Sequence, residues 1–274
     1  MRFLLRASLL CLAVAIATPA AAQRMLVTGP EPYDRFRLTG LWWRGETNGT
    51  IRAPQLAGLI GRRPEFDVRD DLGLEDGANG FAVRADFGLA RRHRLLATMS
   101  GLWPRNERVP SIFDDELVTS GELSLFEAQF GYKFLYYTSS WLDAGVIGGV
   151  GYLDSRLVID VEREVLESGE FVTLPVTGVS QDRETAYPLI GMSARFDAQG
   201  ILAVYVELSG FPSIDAGGHS GWVMNLDIDF LVYPTEYLAI VTGYKRYRLA
   251  LDDGPSVGID AAWDGFLVGV QYIF

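Results

Sequence analysis

The chain has 274 residues, a formal net charge of −11, 30 glycines and 12% aromatic residues. An acidic balance of this size argues against a nucleic-acid partner, whose phosphates call for basic counter-charge. The single cysteine, Cys11, lies in a segment expected to be removed, so neither disulfides nor thiolate chemistry is open to the mature chain.

At the N-terminus Arg2 and Arg6 form a charged region, Leu9 to Ile16 an apolar one, and Ala20-Ala21-Ala22 a small-residue cleavage site. Residues 1–22 therefore read as a secretion signal cut between Ala22 and Gln23. The apolar stretch from Ala7 to Ala17 is too short for an anchor helix. Leu10, where a small residue would be needed before Cys11, argues against a lipoprotein signal. Losing Arg2 and Arg6, and no acid, takes the formal charge from −11 to −13. Residues 23–33 are expected as a short periplasmic segment and 34–274 as one domain.

After the signal no run of about 18 apolar residues occurs, so no helix crosses a bilayer. The remaining route into a membrane is a closed barrel, in which every backbone group pairs with a neighbouring strand. The chain has the matching period-two alternation. Strands are expected near 34–44, 80–90, 94–104, 120–136, 141–154, 185–197, 200–211, 221–233, 237–250 and 263–274. In 81–89, Phe81, Val83, Ala85, Phe87 and Leu89 share one face and Arg84, Asp86 and Gly88 the other. In 126–134, Phe126, Ala128, Phe130, Tyr132 and Phe134 oppose Glu127, Gln129, Gly131 and Lys133. The Gly148-Gly149-Val150-Gly151 cluster lacks the helix and spacing of a nucleotide loop and reads as close packing or a bend within a strand. In 222–232, Trp222, Met224, Leu226, Ile228, Phe230 and Val232 oppose Val223, Asn225, Asp227, Asp229 and Leu231. In Tyr244-Lys245-Arg246-Tyr247-Arg248 both faces carry charge, and the inward one stays open at this stage.

The connections alternate in length. Arg91-Arg92-His93, Tyr137 to Ser140, Asp197 to Gly200 and Pro234 to Glu236 are short. Those at 45–79, 105–119, 155–184, 212–220 and 251–262 are long, and Phe66 to Arg69 within the first can form an extra strand outside the membrane. Short periplasmic turns, long extracellular loops and an even strand count define an antiparallel up-and-down transmembrane β-barrel of about ten strands, with eight or twelve as alternatives. A soluble β-sandwich or lipocalin-like barrel would turn its apolar face inward instead. The last strand ends Gly269-Val270-Gln271-Tyr272-Ile273-Phe274. Gly269, Tyr272 and Phe274 resemble the signal read by barrel-assembly machinery, with Leu267 where a polar residue is usual.

The stretch Phe66-Asp67-Val68-Arg69-Asp70-Asp71-Leu72-Gly73-Leu74, the turn Arg91-Arg92-His93-Arg94-Leu95 and Tyr233-Pro234-Thr235-Glu236 together resemble a group of proteobacterial outer-membrane barrel proteins, of the opacity and OmpA-like porin type. That resemblance implies the fold, a Gram-negative outer-membrane location, and outer-membrane lipids and lipopolysaccharide as surroundings. It implies little about activity.

Three constellations bear on chemistry. The first is the expected lumen: Arg84, Asp86, Glu127, Lys133, Asp143, Arg195, Glu207, Asp227 and Asp229, six acids against three bases. In a small barrel these are expected to interlock as salt bridges that fill the interior, and any leak should favour cations weakly. The second is His219-Ser220 with Asp215, at the level where lipid A-modifying barrel enzymes keep a His/Ser pair. Adjacent strand residues point to opposite faces, so these two do not converge as a nucleophile and its base must. His93, among the turn arginines, reads as solvated or facing headgroups. The third is the acidic outer loops, with Asp70, Asp71, Glu75, Asp76, Asp114, Asp115, Glu116, Asp252 and Asp253, which lack a calcium-loop spacing. No metal or cofactor is expected. The expected function is a non-enzymatic structural or surface-interaction barrel. The alternatives are a narrow cation-selective channel and, behind it, a lipid A-modifying enzyme.

Overall fold

The computed structural model describes residues 36–53, 65–69, 71–72, 78–103, 109–110, 117–167, 170–198, 201–216, 219–252 and 258–274. Side chains are described for these residues except 109–110, 117–119, 161, 163–177, 212–216 and 219. The expected signal, the Ala22/Gln23 cut and the segment 23–33 lie outside the described residues.

Ten long strands form one sheet: β1 (Phe36–Arg52), β2 (Ala78–Ala90), β3 (His93–Trp103), β4 (Leu117–Thr138), β5 (Leu142–Glu167), β6 (Glu170–Ala198), β7 (Leu202–Ala216), β8 (His219–Thr235), β9 (Leu238–Asp252) and β10 (Gly258–Ile273). Each pairs antiparallel with the next in sequence. The sheet closes where β1 meets β10, in an unbroken register from Arg37↔Ile273 to Arg52↔Gly258. Closure leaves no free edge there, which is the condition for a sheet to sit in hydrocarbon. Phe274 extends the seam, its N–H donating to the Phe36 carbonyl at 2.9 Å.

At the end bearing Phe36 and Phe274 the connections are tight. Ser139 N donates to Leu142 O at 2.9 Å, and Ser139 Oγ accepts from Leu142 N at 3.1 Å, so the serine caps the β4–β5 turn. At the opposite end the strands outrun their expected limits. The link expected at 155–184 is a continuation of β5 and β6, paired down to Glu167↔Glu170. The sequence reading missed it because the outer face turns polar once the strands leave the bilayer. β1 likewise runs to Arg52, β7 to Ala216, and β10 begins at Gly258. The short strand Glu65–Asp67 lies along β1, Phe66 opposite Ile51, with Ile51, Phe66, Val68 and Leu72 buried against it.

The pleat sorts the side chains. Outward lie Trp42, Phe130, Tyr132, Val146, Ile190, Met192, Phe230, Ile240, Phe266, Val268, Val270 and Tyr272, all exposed, Phe266 at 79%. An exposed apolar surface this extensive marks a face made for another apolar medium. Inward lie Leu41, Trp43, Leu102, Leu125, Ile147, Leu231, Val241, Leu249, Trp263 and Leu267, buried together. The strand at 238–252, open in the sequence, turns Ala239, Val241, Lys245, Tyr247 and Leu249 inward and leaves Arg246 and Arg248 outside.

Candidate functional site: a charged lumen between two ends of the barrel

The centre of the lumen is built from β2, β4, β7, β8 and β9. Arg84 on β2 reaches across to β8, its Nη1 at 2.8 Å from Asp229 Oδ2 and its Nη2 at 3.0 Å from Asp227 Oδ2. Lys245 on β9 completes the set, its Nζ at 3.0 Å from Asp227 Oδ1 and donating to Asn225 Oδ1 at 2.6 Å. Beside them Lys133 lies 3.7 Å from Glu207 and donates to Tyr205 Oη at 2.8 Å. The Tyr205 hydroxyl donates to Glu207. Arg84 also stands over the Tyr205 ring, 5.3 Å from its centroid. Asp227, Asp229 and Lys245 are each at most 3% exposed. Buried charges persist only when paired, and here one carboxylate serves two cations while one guanidinium serves two carboxylates.

Toward the strand ends opposite Phe36, Glu127 accepts from Ser100 Oγ at 3.4 Å and from the Tyr187 hydroxyl, which Gln129 meets at 3.3 Å. Above that level the wall is apolar: Trp43, Leu102, Leu125, Tyr247 and Trp263. A void among Trp43, Ser100, Leu125, Glu127, Lys245 and Tyr247 has about 20 Å³, on the scale of a single water.

Toward the end bearing Phe36, Arg94 Nε meets Asp86 Oδ1 at 2.5 Å. Arg195 lies 3.2 Å from Asp197 and donates to Tyr233 Oη at 2.6 Å. Tyr233 passes this on to Gln271 at 3.2 Å, and Gln271 to Thr39 at 2.9 Å. Asp143 accepts from Thr138 Oγ1 at 2.6 Å.

The nine residues assigned to the lumen from sequence thus fall into three groups. Arg84, Lys133, Glu207, Asp227 and Asp229 come together at the centre, Glu127 stands apart above them, and Asp86, Asp143 and Arg195 lie below. The reading missed Arg37, Arg94 and Lys245. Alternation carried the signal for two of them, since Arg94 shares a face with Thr98 and Arg37 with Thr39; Lys245 was hidden by the arginines on its other flank. With these three and Asp197 added, six bases face the seven acids Asp86, Glu127, Asp143, Asp197, Glu207, Asp227 and Asp229, so the acidic excess expected of the lumen shrinks from three to one.

The His219/Ser220/Asp215 candidate stands at the far ends of β7 and β8. Ser220 is opposite Asp215 in the ladder and His219 opposite Ala216. The side chains of Asp215 and His219 lie outside the described residues. His93 opens β3 on the outer surface, its Nδ1 in contact with the Tyr132 hydroxyl and its ring 5.5 Å from that of Phe134. Gly269 faces inward on β10, where an added Cβ would meet Gly40 O at 2.1 Å, while Tyr272 and Phe274 pack edge-on at 4.6 Å on the outside. Among the described residues no group of three or more His, Cys, Asp or Glu side chains is placed to hold a metal.

No family model and no curated protein sequence matches the chain. Solved structures do. The chain is similar to the outer-membrane protease OmpT of Escherichia coli, with a TM-score of 0.59 at 12% identity, over 90% of this chain and 99% of that one. It also aligns with Ail, the attachment invasion locus protein of Yersinia pestis (TM-score 0.35, 9% identity, 87% of this chain and 98% of that one). The toluene transporter TodX of P. putida gives a TM-score of 0.31 at 9% identity, over 90% and 91%. Taken with the outward apolar belt, the closed up-and-down sheet is that of the outer-membrane β-barrels of Gram-negative bacteria, and the bilayer is where this chain resides.

Proposed function

We propose that the protein is a non-enzymatic outer-membrane barrel with a structural or surface-interaction role, sealed at its centre. The observation that carries this reading is Arg84 spanning the lumen to Asp227 and Asp229 while Lys245 and Lys133 close the remaining gaps. A hydrated ion passing there would have to break several buried pairs at once. The apolar wall of Trp43, Leu125, Tyr247 and Trp263 above it adds a second, dry barrier. The secretion signal ending at Ala22, recognition of Gly269, Tyr272 and Phe274 by assembly machinery, and contact with lipopolysaccharide on the outer face belong to the same reading.

The test is electrical and chemical together. Protein reconstituted into planar bilayers should give no steady single-channel current, and lipid A from cells expressing it should keep its acyl pattern by mass spectrometry. A steady cation-selective current altered by the paired substitutions Asp227→Asn and Asp229→Asn would install the channel in its place. A changed acyl pattern abolished by His219→Ala would install the lipid A-modifying enzyme.

A further inference from the structure

The end of the barrel that carries both Phe36 and Phe274 opens into a bowl of about 360 Å³. This is at the lower end of the roughly 300–1,000 Å³ typical of small-molecule sites. By the rule that outer-membrane barrels keep short turns on the periplasmic side, the bowl faces the periplasm. Its charged lining is Arg37, Arg91, Arg94, Arg195, Asp143 and Asp197. Four guanidiniums face these two carboxylates and a third, Asp86, paired with Arg94, which leaves an excess of one positive charge in a chain whose formal charge is −11.

One of these guanidiniums has a buried N–H without an acceptor. Arg94 is held by Asp86 and Arg195 by Asp197 and Tyr233. Arg37 lies opposite Asp86 in the ladder, with Arg94 and Arg195 as like-charged neighbours and Asp86, already engaged by Arg94, as the opposite charge, and its Nε is buried with no hydrogen-bond partner. A buried guanidinium N–H without an acceptor, sharing one carboxylate with another arginine, is costly unless a further acceptor joins it. Guanidiniums present planar forks of donors matched to oxyanions, and several around one hollow suit a group with several acceptor oxygens. A phosphate ester, with about −1.5 to −2 charges at neutral pH, supplies the negative charge and the acceptor oxygens that this set of guanidiniums calls for.

We propose that this periplasmic bowl is a binding site for a soluble phosphate or small phosphomonoester, with Arg37 as the principal contact and Arg94, Arg195 and Arg91 around it. The site is separate from the central ion-pair network and from anything carried on the extracellular loops. It gives the protein a periplasmic ligand whether or not the lumen conducts.

The experiment is calorimetric titration of the full mature barrel, refolded in zwitterionic detergent, with inorganic phosphate and with glycerol phosphate. Saturable one-to-one binding is expected, weakened at least tenfold by Arg37→Gln and about threefold by Arg91→Gln, which lies in a turn and leaves the ladder intact. Arg246→Gln, on the outer face, should bind as the unmodified protein does. Heat-modifiable gel mobility checks that each variant is folded. Absence of binding, or equal binding by Arg37→Gln, would overturn the proposal. So would binding seen only after residues 23–33 are deleted, which would make the chain's own N-terminal segment the occupant. In vesicles, affinity for phosphate should be the same in phosphatidylcholine and phosphatidylglycerol. A tenfold loss in the latter would overturn the soluble source and assign the site to a lipid headgroup.

Discussion

Arg84 and Asp227 show how much a single position can hold in this lumen. Asp227 is shared between Arg84 and Lys245, and Asp229, two residues on, pairs with Arg84. Replacing Arg84 by Met keeps the length of the stem but strands the buried carboxylate of Asp229 and leaves Asp227 to Lys245 alone. It should cost about 3–5 kcal/mol, read as a lower urea midpoint of the refolded barrel. Adding Asp229→Asn to that variant should recover part of the loss, since the acid left without a cation is then neutral while Asp227 still serves Lys245. Failure of the double variant to recover would show that the network matters through shape and not through charge. Gly151 makes the same point through space. A Cβ there would lie 2.1 Å from the ring of Tyr187, whose hydroxyl binds Glu127. Gly151→Val should therefore cost about 1–3 kcal/mol by overpacking. Gly148, with nothing within 4 Å of its would-be Cβ, should accept Ala almost silently in the same denaturation assay. The glycine cluster that resembles a nucleotide loop on paper is thus a stretch of strand, with Gly148 facing outward and Gly149 and Gly151 inward.

At the scale of a strand, β8 separates the two environments most sharply. Ile228 lies outward, paired with Val206 and Tyr244, while Asp227 and Asp229 on either side of it are buried. Ile228→Arg should cost about 2–4 kcal/mol if the residue sits near the bilayer midplane. Leu226→Arg should cost less, because its ladder partner Arg246 already stands on the outer face at that level. Equal penalties at the two sites, measured in lipid vesicles, would contradict the depth assigned to this belt. The β5–β6 hairpin gives the complementary case. Its pairs from Leu142↔Phe196 to Asp154↔Glu184 form barrel wall, and those beyond run on to Glu167↔Glu170. Replacing residues 161–177 by Asn-Gly, a two-residue turn suited to a hairpin, should leave heat-modifiable mobility unchanged. Loss of the folded band would mean that the extension supports the wall.

For the whole molecule the decisive event is closure. The β1–β10 seam joins the two ends of the described chain, and Phe274 fastens it by its backbone bond to Phe36 and by ring contacts with Phe36 at 5.3 Å and Tyr272 at 4.6 Å. Deleting Phe274 removes these contacts and the terminal aromatic together. Membrane-inserted, heat-modifiable protein should fall, while cleavage before Gln23 continues. Unchanged insertion would deny the terminal residue a part in assembly.

What the sequence determined by itself is everything that follows from period two. The pleat forces alternate residues to opposite faces, so the barrel class, the lipid face of 81–89 and 222–232, and the inward placement of Arg84, Asp86, Asp227 and Asp229 were legible from local spacing alone, while the choice of ten strands over eight or twelve came with closure of the sheet. Strand length beyond the bilayer was not, because there the outer face turns polar, as at Asp154, Arg156 and Asp160, and only the inner stripe of Leu157 and Ile159 continues. Nor was the inward face at 244–248, where charge on both sides cancels the signal and only pairing with β8 and β10 selects Lys245 over Arg246. Which charges meet was beyond the sequence altogether. Arg84 and Asp227 are 143 residues apart, brought together by the curvature of a closed sheet and not by any spacing along the chain. The same closure gathered Arg37, Arg94 and Arg195, from three separate strands, around one periplasmic hollow.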